Sequence, residues 1–193
     1  MKIALMMFLS MVATTAFAGG VSSTISAYNL NKVRPQTIFT VTSTSGESLK
    51  DFLLNNVRPA LRSFTDKTLF EGCGEVAFNA STKQYSVMLF SNKSHLACVI
   101  DPNAVAPGFK SMNVTIHSHG GNGQFAMNRA DRVFTGMVND PRSLMMGGEN
   151  LEHFSPTDFQ GGAGFLATPT TVRFQNGADT ECDIKVAACA ANF

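Results

Sequence analysis

Apolar residues follow three rhythms along this chain, and each predicts a different element. From Ile3 to Ala13 they run almost unbroken. Over residues 49–64, Leu49, Phe52, Leu53, Val57, Leu61 and Phe64 recur at helical spacing. The spacing predicts a helix over 45–67. Ser45 or Ser48 can cap its start, with Glu47 in a favourable first turn. Pro59 removes a donor and predicts a kink or break near Val57.

Elsewhere the rhythm is alternation, which predicts strands over 37–42, 69–78, 84–91, 97–100, 113–120, 165–168 and 171–174. Residues 79–83, Asp101-Pro102, Pro107-Gly108 and Asn176-Gly177 supply turns between them. Residues 120–154 are less regular, with one short helix expected over 129–137. A long segment of this kind forms either a lid or a decoration packed on the domain's side.

The first apolar run is too short to span a bilayer. It follows Lys2 and ends at Ala16-Phe17-Ala18, the small-x-small pattern of a cleaved export signal. Residues 1–18 are therefore expected to be a signal peptide and the product to be secreted or periplasmic. Removing 18 of 193 residues leaves 175, enough for one domain with a sizeable core. Residues 19–46 read as a lead-in with one strand, and 47–193 as the domain. Lys+Arg and Asp+Glu nearly balance, at 15 and 14. No basic run exists, so nucleic acid is not an expected partner, and no later stretch suggests a membrane span.

The cysteine count changes the picture further. Four cysteines in an exported chain favour two disulfides over redox chemistry. Three pairings are possible. Sequence proximity favours Cys182–Cys189, which leaves Cys73–Cys98 across neighbouring strands. That pairing also argues against Cys73 as a nucleophile served by a histidine.

The candidate chemistry lies at the end of one predicted strand, in Thr115-Ile116-His117-Ser118-His119-Gly120. Side chains at i and i+2 share a face, so the two imidazoles can close on one ion. Zinc suits neutral imidazole nitrogen. A catalytic zinc needs a third protein ligand and an open position for water. It also needs a separate carboxylate to move a proton. The His-x-Glu and Pro-Cys-x-x-Cys signature of zinc deaminases is absent.

An ordered set of residues resembles the JAB/MPN family, the metalloproteases that carry the JAMM motif, in its secreted and toxin-associated branch. Glu71 stands in Glu-Gly-Cys-Gly after the helix. His117-Ser118-His119 follows, then Ser155-Pro156-Thr157-Asp158, then the closing strand Phe165-Leu166-Ala167-Thr168-Pro169. The resemblance covers roughly residues 47–176. It implies a single α/β domain, cytidine-deaminase-like, with a mixed, largely antiparallel sheet flanked by helices. It implies that His117, His119 and Asp158 ligate Zn2+, that Glu71 is the general base, and that Ser155 steadies the oxyanion or the water. The implied reaction is hydrolysis of a peptide or isopeptide bond. The substrate could be a peptidoglycan stem peptide, a partner protein or a proprotein.

Two positions stay open. The family's usual short spacing lands on Asn128-Arg129-Ala130-Asp131, so Asp131 is the alternative third ligand. Glu75, four residues from Glu71 and on the same strand face, is the alternative acid/base. Gly120 stands where the family carries Pro. His95 and His153 read as polar loop residues. A chain with these residues could also be an inactive, zinc-stabilised binding or inhibitory module, with residues 120–154 closing the cleft.

Overall fold

A computed structural model describes residues 33–99, 103–121, 123–137, 145–147, 150–177 and 180–190. The signal-peptide reading of residues 1–18 lies outside them, as do most of the lead-in and part of the 120–154 segment.

The chain is an α/β protein built on a mixed seven-stranded sheet with a few helices. Its strands are β1 (Gln36–Thr42), β2 (Gly72–Asn79), β3 (Gln84–Ser91), β4 (Lys110–Ser118), β7 (Gly164–Ala167), β8 (Val172–Gln175) and β9 (Glu181–Asp183). The order across the sheet is β1-β3-β2-β4-β7-β8-β9. Only β4 and β7 run parallel; every other neighbouring pair in this sheet is antiparallel. A parallel pair needs a long crossover. The chain between His119 and Gly164 is that crossover. It carries a two-stranded ribbon, β5 (Gln124–Ala126) with β6 (Met145–Gly147), and the short helix α3 (Arg129–Thr135).

The predicted helix forms as one helical run in three pieces: α1 (Leu49–Phe52), a π-helical turn over Leu53–Val57, and α2 (Arg58–Thr68). Ser48 caps it, its side chain accepting from the Asp51 amide. Pro59 sits in the first turn after the π segment. The wider turn absorbs the missing donor, so the proline produces a change of winding and not a break. Phe52, Leu53, Val57 and Leu61 are all fully buried. They pack with Val76, Val87, Leu89, Ile116 and Phe165 of the sheet into the main core.

The strand expected over 37–42 in the lead-in forms as β1, an edge strand paired with β3. Two local findings differ from the pattern reading. Residues 97–99 make a single bridge at Cys98 and not a strand. Asn92 explains this, because its side chain takes the Val99 amide that a ladder would use. β4 begins earlier than expected and carries an irregularity between Glu75 and Ala77 of its partner, with Asn113 at φ 56°.

Both favoured disulfides form, Cys73–Cys98 and Cys182–Cys189. Among the described residues no helix is long and apolar enough to cross a membrane.

Candidate metal centre

The β2–β4 ladder pairs Cys73 with His117 and Gly72 with Ser118. The Gly121 amide reaches Leu69 O at 3.3 Å, which keeps the same register. Glu71 therefore lies across from His119. Residues 71, 73, 117 and 119 share the sheet face opposite the helix, since side chains alternate. Ile116 and Ser118 take the other face. Ile116 enters the main core, and Ser118 meets Thr65 of α2 at 2.7 Å.

Onto the first face folds the turn 155–158, which enters a 3-10 turn at Asp158–Gly161. Gln175 of β8 holds it by donating to Asp158 O at 3.1 Å. The result is a buried group of His117, His119 and Asp158 whose donor atoms lie within 4.8 Å of one another. The two Nε2 atoms are 3.3 Å apart. One Asp158 oxygen lies 3.3 Å from His117 Nε2, and the other 3.2 Å from His119 Nε2. Donors bonded to one ion at about 2.0–2.1 Å lie roughly 3–3.4 Å apart, so the group is compact enough to hold a metal ion.

The surroundings orient the donors. His119 Nδ1 faces Asn150 O at 2.8 Å and carries a proton toward it; with an ion bound, Nε2 would release its own proton and turn a lone pair to the metal. Arg62 of α2, paired with Asp66, donates to His119 O at 3.3 Å. His117 packs against Phe154, and its buried Nδ1 has no hydrogen-bond partner among the described residues. Burial pushes the Asp158 carboxyl up. The positive charge of His117 and hydrogen bonds from both imidazoles outweigh it and hold the carboxyl far below the usual carboxylate range.

Ser155 donates to Asp158 Oδ2 twice, from its amide at 2.7 Å and its hydroxyl at 2.8 Å. In this arrangement it fixes the carboxylate, a different task from the one the motif implies. Glu71 is fully buried. Its amide donates to Ser94 O at 2.8 Å, and Ser91 donates to its carbonyl at 2.7 Å.

The two alternatives are placed elsewhere. Asp131 is fully buried and accepts hydrogen bonds from Ser94 Oγ, the His95 amide and the Asn128 amide at 2.7–2.9 Å. It also faces His95 Nδ1 at 2.8 Å. It closes the capping box of α3 and anchors the 92–99 loop, and it is not among the three grouped donors. Glu75 lies four residues along β2 from Glu71, about 13 Å at strand rise. Ser111 donates to it at the β4 irregularity. Burial pushes its carboxyl up, against hydrogen bonds from Ser111 and the Val114 and Asn113 backbone.

The two remaining histidines are less bland than expected. His95 is sandwiched between Phe70 and Phe125, with ring centroids 4.7 and 4.4 Å away. His153 pairs with Glu181 and lines a cavity of about 280 Å³ with His119, Phe154, Ser155 and Pro156. Sequence reasoning missed Arg62, Thr65 and Asn150. Thr65 interrupting the Leu61 face of α2 was the available signal. Nothing local marks the Asn150 carbonyl.

Compared with protein-family models, curated proteins and solved structures, the chain matches none.

Proposed function

We propose that this chain is an exported zinc-dependent peptidase or isopeptidase, similar to the JAB/MPN metalloproteases in fold and in site. The observation that carries the reading is the convergence of His117, His119 and Asp158 from positions far apart in the chain, with Glu71 across from His119. The ordered motif and the largely antiparallel sheet support the family likeness. Two disulfides, and no membrane-crossing helix among the described residues, fit an extracellular protein.

His117, His119 and Asp158 would hold the ion. When bound, zinc supplies Lewis acidity and brings the pKa of a water down to about 7. Glu71 would take the proton of a water adding to the amide carbon and return it to the leaving nitrogen as the C–N bond breaks, so that acid and amine leave and Glu71 is regenerated. Ser155 holds Asp158 and lines the 280 Å³ cavity, where its hydroxyl would steady the negative oxygen on exchanging its bond.

One observation favours the second reading, a metal-stabilised binding module. His117, His119 and Asp158 are only 2%, 1% and 3% exposed. A group so enclosed resembles a structural site. Hydrolysis of a peptide library, measured with and without chelator, separates the two. Chelator-sensitive cleavage that Glu71→Gln abolishes is the peptidase result. Bound metal with wild type and Glu71→Gln equally inert is the binding-module result.

A further inference from the structure

The ladder registers place a second feature at the same end of the sheet as the metal centre. Gln36 pairs with Ser91, Cys73 with Phe90, and Gly72 with Ser118. One row of residues therefore runs from β1 through β3 and β2 to β4. The metal group lies at the β4 end of this row. At the β1 end lies a cavity of about 600 Å³.

Its lining is one-signed. Arg34, Lys93 and Arg129 face it, and no acidic side chain lines it. None of the three cations pairs with an acid among the described residues. Asp131, near Arg129 in sequence, is turned inward onto Ser94 and His95. Side-chain bonds tie the cavity wall together: Asn128 donates to Lys93 O at 2.8 Å, and Asn92 donates to Val33 O at 2.8 Å. Lys93 stands in a left-handed conformation, φ 57°, in the lining. Phe70 adds one apolar surface, next in sequence to Glu71.

Three cations held around one cavity in a chain of near-zero net charge make a local positive field with no acidic partner among the described residues. The lining reaches from Arg34, ahead of β1, to Phe70, ahead of β2, so the cavity spans one to three strand spacings from β4, about 5–14 Å. An extended peptide covers that range in up to about four residues. We infer that this cavity is an anion-binding subsite that takes an acidic segment of a peptide, within about four residues of the bond at the metal centre. That the segment belongs to a substrate rests on the peptidase reading. The charge of the cavity does not.

The test reads binding and not turnover, on the full disulfide-bonded protein. Calorimetric titration uses an acetylated, amidated tetraglutamate peptide at low ionic strength, before and after chelator treatment. The controls are inorganic phosphate and the tetralysine counterpart. Wild type is expected to bind tetraglutamate with salt-sensitive affinity that chelator leaves unchanged, and not to bind tetralysine. The exposed pair Arg34→Ala/Arg129→Ala should weaken binding at least tenfold with an unchanged unfolding midpoint. Lys50→Ala/Lys185→Ala, which removes two charges elsewhere, should not. Equal binding by wild type and the Arg34/Arg129 variant overturns the inference. So does binding of phosphate without tetraglutamate. Loss of peptidase activity in other experiments would leave the charged subsite standing and remove only its link to a substrate.

Discussion

Removing one hydroxyl should loosen the metal. In the structure Ser155 Oγ donates to Asp158 Oδ2 at 2.8 Å, beside the Ser155 amide at 2.7 Å. The hydroxyl bond is charge-assisted, because Asp158 is held ionised. Because the bond is present with and without metal, it acts on affinity by orienting the ligand oxygen; partners that orient metal ligands in this way are worth about 10- to 100-fold in metal affinity. Ser155→Ala should therefore weaken zinc affinity by about one to two orders of magnitude. It should leave the unfolding midpoint of the metal-free protein within a few degrees of wild type, since the amide bond remains. Competition against a chromogenic chelator measures the affinity. Unchanged affinity in a folded Ser155→Ala protein would refute the claim that Asp158 is a ligand held by this serine.

Other substitutions separate the roles of neighbouring residues. Asp131→Asn should cost about 2 kcal/mol or more in urea unfolding, because it disturbs a buried four-contact network, yet retain one equivalent of metal. Asp158→Asn should show the reverse pattern, and metal loss in Asp131→Asn alone would exchange the two assignments. Gly120→Ala should cost about 1–3 kcal/mol, because an added Cβ would lie 2.5 Å from His95 O and 2.7 Å from Leu69 O, both backbone atoms. Unaltered stability there would show that the junction after His119 yields. Glu75, raised by burial, favours the folded state below its unfolded pKa of about 4.3 and loses that contribution as pH rises through its folded value. Glu75→Gln should therefore gain stability relative to wild type at pH 7.5 and lose the gain near pH 4, read from urea midpoints; a pH-independent difference would contradict the sign. Opening Cys73–Cys98 by a double Ala variant should cost more than opening Cys182–Cys189. The sequence separations of 25 and 7 give about 3.5 and 2.4 kcal/mol by loop closure, and equal losses would show that chain entropy is not the main term.

The strands and the helix were legible because their apolar rhythms are clean. The His-x-His face was legible because alternation on a strand needs no tertiary information. Cysteine pairing followed from spacing in the chain. The choice between Asp158 and Asp131 was not legible from spacing. Both sit beside a short helical turn with a polar residue three positions earlier, and both are buried. Only the long crossover to β7 decides which one meets the histidines. The same crossover hides Asn150, whose contribution is a carbonyl with no side-chain signature. Pro59 marked an irregularity near Val57 but not its form: the helix winds into a π turn over Leu53–Val57 and continues without a break.

The most direct test loads the purified protein with zinc, counts the metal and examines its absorption edge. One equivalent, bound by two imidazole nitrogens and carboxylate oxygen at about 2.0–2.2 Å and lost in both His119→Ala and Asp158→Ala, is the predicted result. Metal retained in the Asp158→Ala protein, or a shell without imidazole, would contradict it.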